Sequence, residues 1–214
     1  MTGKFITIEG ADGTGKTTLI EELKKILPSD KYVFVREPGS TGIGEFARKW
    51  IHNTDAFENA NTATQALYLF SASRLELLKG VINPALKSGV NVITDRFALS
   101  TAVYQDLKPE WGLTSIVHAI LKELAKECHV DKTIYLTCPA NIIVERLNSR
   151  SEAGGVKDPT DSKDETFFQS LAMKYSLLLN TPGFFPQNLL GDVKQLDARN
   201  SIPELVEEVK SIIL

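Results

Sequence analysis

The chain has 214 residues, 43% of them hydrophobic and 24% charged, enough to bury one sizeable core and within the size of a single domain. Its formal net charge of -3 gives no general attraction for nucleic acid or an anionic membrane, so any polyanion must be met by a local basic site. No run approaches the roughly 18 apolar residues of a membrane helix, the N-terminus carries no targeting pattern, and Cys128 and Cys138 read as buried thiols of a reducing cytoplasm rather than a staple or a zinc site.

The first element is a strand at Phe5-Ile6-Thr7-Ile8, followed by Gly10-Ala11-Asp12-Gly13-Thr14-Gly15-Lys16-Thr17, which fits G-x-x-x-x-G-K-[ST]. Leu19, Ile20, Leu23, Ile26 and Leu27 then make a helical stripe. A loop in that context, running on to Thr18, holds the phosphates of a nucleotide. Its amides converge on the anion, the helix start adds its positive end, Lys16 reaches the outer phosphates and Thr17 ligates magnesium. Asp12 is anomalous, because a carboxylate pointing inward would repel those phosphates.

A second strand, Tyr32-Val33-Phe34-Val35, leads into "REPGST" at Arg36 to Thr41, and a helical pattern covers Ala63 to Leu78 with Phe70 and Arg74 on one face. The third strand, Val90-Asn91-Val92-Ile93, ends in Asp95-Arg96. If residues 97–106 are helical, Arg96, Ser100 and Tyr104 follow one stripe, with Gln105 beside them. Next come a helix carrying Ile116, Val117, Ile120, Leu121 and Leu124, and a fourth strand, Thr133-Ile134-Tyr135-Leu136. Helices at about 139 to 149 and 165 to 180 flank "SRSEAGGVKDPTDSKDE", whose glycines, proline and mixed charges read as a mobile loop or lid over about 149–165. A weaker strand, Val193 to Leu196, and a helix with Leu205, Val206, Val209, Ile212 and Ile213 close the chain. The expectation is an α/β fold: one domain over 1–214, with a five-stranded, mostly parallel sheet flanked by helices. Ligands then collect at the carboxyl edge of the strands.

The phosphate loop leaves open a kinase of a small acceptor, a regulatory GTPase and a motor ATPase. No N-K-x-D segment reads guanine, and the third strand ends in an acid and a base rather than paired acids. Arg36 and Arg96 should emerge beside the loop, and arginine suits fork-like bonds to phosphate. Two such arginines next to a donor pocket point to a phosphate on the acceptor as well, while Asp95 serves the magnesium shell.

Taken together, "IEGADGTGKTT", "REPGSTGIGE", "LFSASRLE", "DRFALSTAVYQ" and "LDARN", in this order and over nearly the whole chain, resemble the thymidylate kinases. The resemblance implies ATP and Mg2+, dTMP as acceptor, dTDP and ADP as products, and a homodimer packed through helices. It also implies that Phe70 stacks on thymine, Arg74 bonds a base carbonyl, Arg96 takes the acceptor phosphate, Gln105 helps read the base and Tyr104 packs against the sugar. Asp12 would accept the deoxyribose 3'-hydroxyl. The bland alternatives are Phe70 and Tyr104 as core, Arg74 as a solvated rim charge, Gln105 as a surface amide and Asp12 as a turn residue.

The chain departs from the family in three places. Gly13 stands where some members have a basic residue, Ser40 where glycine is usual, and the lid lacks the usual D-R pair. Either Arg150, together with Lys157 or Lys163, or Arg146 supplies transition-state charge, or the lid closes differently. Two rival functions remain: a kinase of another deoxynucleoside or its monophosphate, and a nucleotide-binding regulatory module without turnover.

Overall fold

The computed structural model of the protein describes residues 2–56, 59–105, 108–154, 159–181, 183 and 185–214. The strands β1 (Phe5–Glu9), β2 (Tyr32–Arg36), β3 (Asn91–Asp95), β4 (Lys132–Thr137) and β5 (Asp192–Asp197) form one sheet in the order β2-β3-β1-β4-β5. All of its pairings are parallel, so the expected mostly parallel sheet is wholly so among the described residues. Strands of such a sheet are buried on both faces, which is why β1 reads as a near-continuous apolar run. Side chains alternate along it: Ile6 and Ile8 enter one core, while Phe5 enters the other.

On the Ile6 face lie α1 (Lys16–Ile26) and α9 (Ile202–Ile213), packed through Leu19, Ile20, Leu23, Leu205, Val206, Val209 and Ile213. Ile26, expected in the α1 stripe, is instead exposed in the last turn. The Phe5 face is covered through Leu67, Leu77, Val117, Leu121, Ile143, Leu147, Phe168 and Leu171. These residues come from α3 (Ala60–Leu77), α6 (Thr114–Glu127), α7 (Ala140–Glu152) and α8 (Glu165–Asn180). Helix α2 (Gly42–His52) packs on α3, which continues through a π turn at Leu78–Ile82 into α4 (Asn83–Lys87). The remaining helix, α5 (Ala98–Tyr104), directly follows Asp95-Arg96.

Local chemistry fixes the helix starts. Asn59 and Thr62 cap α3 reciprocally, Asp164 accepts from Phe167 N at 3.0 Å at the start of α8, and Ser201 with Glu204 forms the capping box of α9. Between α7 and α8 the expected loop is shorter than its sequence suggests. Helix α7 runs to Glu152, and Pro159–Ser162 forms a 3-10 turn with Thr160 buried. Residues 155–158, Lys157 among them, lie outside the described residues.

Candidate active site

The register Ile8↔Asp95 and Arg36↔Asp95 brings the ends of β1, β2 and β3 to one edge. There the 10–18 loop turns into α1 through Gly15, at φ 90. The start of α1 opens into a cavity of about 710 Å³ bounded by residues 12–18, by Arg146, Leu147 and Arg150 of α7, and by residues 198–202. Lys16 is buried, and its Nζ donates to Gly10 O at 3.0 Å and Ala11 O at 2.9 Å. Burial, reinforced by the Arg96 charge, brings its pKa down from 10.5 to about 8, with Asp95, Asp12 and Glu9 opposing the shift. Gly13 has φ 79, and a Cβ there would meet Ile143 and Leu147 at 3.1 and 3.2 Å. The packing of α7 against the loop therefore accounts for glycine where a basic side chain was noted as an alternative.

A second cavity, of about 200 Å³, is lined by Arg36, Phe70, Arg74, Asp95, Arg96, Ser100, Tyr104 and Gln105. Every acceptor-side residue singled out from the sequence is thus brought to one cleft. The two cavities share Asp12, Lys16, Thr17 and Arg150 as walls.

Asp12 turns into this second cavity. Arg96 forms an ion pair with its Oδ1, and its Oδ2 accepts from Thr160 Oγ1 at 3.0 Å and Tyr104 Oη at 3.3 Å. Burial pushes the Asp12 carboxyl up, but the Arg96 and Lys16 charges outweigh it and hold the group well below the usual carboxylate range. Arg96 itself sits at φ 67, in the left-handed region. Its Nη1 donates to Gly10 O at 2.9 Å and Ser100 Oγ at 3.1 Å, and its guanidinium lies 5.0 Å over the Tyr104 ring. Burial pushes the Tyr104 hydroxyl up, so it remains protonated and able to donate.

Arg74 is not a rim charge. It is 4% exposed, and its Nε donates to Glu37 Oε2 at 2.7 Å while Nη2 donates to Phe97 O at 3.1 Å. Its Nη1 and Glu37 Oε1 are buried without hydrogen-bond partners. Burial pushes the Glu37 carboxyl up, against the pull of Arg74. Gln105 is likewise buried rather than a surface amide, and Phe70 is half-buried on the cleft wall.

Arg36 stands at the exposed rim, with Nη2 held by Glu45 at 3.0 Å. The unusual Ser40 takes φ 65, a conformation glycine adopts freely. Its hydroxyl accepts from Arg36 N at 3.0 Å and its own amide donates to Glu45 at 2.9 Å, offsetting the backbone cost and fixing the turn that carries Arg36.

On the lid side, Arg146 Nη2 donates to Ala198 O at 2.8 Å at the wall of the larger cavity. Arg150 lines both cavities and forms an ion pair with Asp161 in the 159–162 turn, and Lys163 pairs with Asp55 at 2.6 Å. Asp95 Oδ1 is buried without a partner, and Thr17 borders both cavities. Among the described residues no cluster of three or more His, Cys, Asp or Glu side chains gathers. A free carboxylate oxygen and a hydroxyl lining the same cavity fit magnesium, which takes one or two protein ligands and completes its shell with phosphate and water.

Sequence reasoning missed several residues of this region. Glu37, Thr101, Thr160, Arg48 and His52 all border the smaller cavity, and Glu9 lies beneath it. Glu9 could have been noticed as an acid on the buried Phe5 face of β1. The others depend on long-range packing.

Comparison with known proteins agrees with this geometry. The sequence profile of the family described as "Thymidylate kinase" matches residues 8–208. The thymidylate kinase of Buchnera aphidicola is 36% identical over 194 residues, 87% of either chain. That of Legionella pneumophila is 32% identical over 219 residues, 100% of this chain and 95% of its own, and that of Mesoplasma florum is 34% identical over 213 residues, 98% and 94%. With a G-x-x-x-x-G-K-[ST] loop and an arginine-lined cleft meeting at one sheet edge, and a profile match over nearly its whole length, the chain belongs to the thymidylate kinase family.

Proposed function

We infer that the protein transfers the γ-phosphoryl group of ATP to dTMP, giving dTDP and ADP. The observation that carries this reading is the shared wall: the larger and smaller cavities meet at Asp12, Lys16, Thr17 and Arg150. A triphosphate on residues 10–18 and a monophosphate at Arg96 then face one another across Lys16 and Thr17. An acceptor oxygen attacks the γ-phosphorus in line. Positioning and charge neutralisation do most of the work, because a monoester is already largely ionised near neutral pH.

In this reading Gly10, Ala11, Gly13, Thr14, Gly15 and Thr18 contribute backbone or hydroxyl groups to the donor phosphates, and Lys16 follows the outer ones. Thr17 and Asp95 would hold Mg2+, which would supply charge neutralisation for the donor phosphates. Arg96, with Arg36 at the rim, holds the acceptor phosphate, and Asp12 accepts from the 3'-hydroxyl. Phe70 stacks on the base, Arg74 donates to a carbonyl, Tyr104 closes against the sugar, and Ser100 and Gln105 complete the wall. Arg150, with Arg146 behind it, neutralises charge and excludes water when a lid over about 149–165 closes on this single domain.

The chain is also assigned to a homodimer, a reading supported by Ile43, Phe46, Tyr68 and Leu75, which are large, apolar and exposed on the packed helices α2 and α3. A cytoplasmic location is part of the same proposal, supported by Cys128 and Cys138 as free thiols. Among the described residues no helix is long and apolar enough to cross a membrane. The test is ADP release measured with dTMP, dUMP, other monophosphates and thymidine in turn. Turnover should require a monophosphate and favour dTMP. Preference for thymidine would remove the second phosphate site, and acceptor-independent or absent turnover would leave a nucleotide-binding module.

A further inference from the structure

Beneath the acceptor cleft lies a carboxylate that touches neither cavity. Glu9, the last residue of β1, is 0% exposed. Its Oε1 accepts from Phe97 N at 2.9 Å and Ser100 N at 3.2 Å, the first amides of α5. Its Oε2 accepts from Ser100 Oγ at 2.5 Å and faces Tyr175 Oη of α8 at 3.5 Å. Ser100 Oγ in turn receives Arg96 Nη1 at 3.1 Å. The hydroxyl proton is therefore committed to Glu9, which leaves an oxygen lone pair to face the guanidinium.

We propose that Glu9 is a positioning residue for the acceptor phosphate, holding Ser100 and the start of α5 so that Arg96 presents its guanidinium to the monoester. This rests on the reading of Arg96 as the acceptor-phosphate ligand. Arg96 occupies a left-handed backbone position just before α5, whose N-cap residue, Phe97, supplies no side-chain cap. Four groups hold the Arg96 side chain: Gly10 O, Asp12, the Ser100 hydroxyl and Tyr104, whose Oη accepts from Nη2 at 3.3 Å. Asp12 and Tyr104 hold Nη2 and also serve the acceptor, so the two Nη1 bonds, to Gly10 O and Ser100 Oγ, set the orientation of the guanidinium. Of these, the Ser100 contact depends on Glu9. A neutral side chain would cap the amides equally well, because an amide oxygen accepts from N–H as a carboxylate does. Only a carboxylate also accepts the Ser100 proton, and while burial pushes the Glu9 carboxyl up, the Ser100 hydroxyl, the Arg96 charge and the Phe97 and Ser100 amides pull it back toward that ionised form.

Glu9→Gln separates the two roles. The glutamine oxygen keeps the bonds from Phe97 N and Ser100 N. Its NH2 group faces Ser100 Oγ, takes up the lone pair and turns the hydroxyl proton toward Arg96. The expected result is a rise in the dTMP KM of about tenfold, the loss of one hydrogen bond to a charged group. Thymidine affinity and the ATP KM should stay within about twofold of wild type, and Tm within a few degrees. An unchanged dTMP KM, or an equal loss for thymidine and dTMP, would overturn the proposal. Should Glu9→Gln fail to fold, Ser100→Ala cuts the same link with Glu9 intact, and it must give the same dTMP-selective loss. In the double variant the loss should equal that of the larger single change, and multiplying effects would refute action through Ser100. A wild-type protein without dTMP-dependent turnover would refute the kinase reading instead, an outcome distinct from an active wild type with a silent Glu9→Gln.

Discussion

Arg96→Ala is the most informative single change, because this side chain pairs with the loop acid and is the one proposed to take the acceptor phosphate. The guanidinium is held at Gly10 O and Ser100 Oγ, paired with Asp12 and stacked on Tyr104. A fork on a phosphate makes two charge-assisted bonds, each worth about 1.5–3 kcal/mol, so their loss costs about 3–6 kcal/mol, or about 10²- to 10⁴-fold in dTMP affinity. The same change strips Asp12 of its counter-charge and sets two anions against each other, which pushes in the same direction. Thymidine has no phosphate and should weaken by less than about threefold. Arg96→Lys restores a point charge without the fork and should fall between the two. Calorimetric titration of each variant with dTMP and thymidine reads the difference directly. Equal losses for both ligands, or a dTMP loss under about tenfold, would refute the assignment of Arg96 to the phosphate.

The depressed Lys16 pKa has two signatures. Between about pH 8 and 10.5 the unfolded chain carries more protons on this lysine than the folded one, so its contribution makes stability rise with pH across that window, as pH-dependent unfolding would record. ATP binding needs the ammonium, so KM for ATP should climb between about pH 7 and pH 9 and flatten in Lys16→Arg; a flat wild-type profile would contradict the role. Arg150→Ala should lower kcat by about 10–100-fold with KM for ATP within about threefold, and an unchanged kcat would shift the role to Arg146 or Lys163. Arg74→Ala leaves Glu37 as a buried, uncompensated acid and should cost about 3–5 kcal/mol in urea unfolding, most of it recovered in Arg74→Met combined with Glu37→Gln.

The sheet was legible because parallel strands are apolar on both faces, and each expected run lies within a strand or one residue from it. What the runs cut off is telling. Hydrogen bonding continues one or two residues past the last apolar side chain, so Glu9, Arg36 and Asp95 are strand residues at the carboxyl edge. Helix α2 was not anticipated because Gly42 and Gly44 sit in its first turn, where propensity argues against a helix and Thr41 supplies the cap. In the site, motif spacing reached the loop, Asp95-Arg96 and the α5 stripe. It could not reach pairs such as Glu37–Arg74 or Asp12–Thr160, separated by 37 and 148 positions and joined only by packing. Helix α7 runs on to Glu152, three residues past the end expected from the sequence, before Gly154 takes φ 77.

Arg150 borders both cavities while gripping the turn that carries Asp161 and Thr160. Ordering that turn once can serve whichever molecule arrives second, so any tightening that a resident nucleotide confers on the incoming monoester must reappear, by the same factor, when the order of addition is reversed.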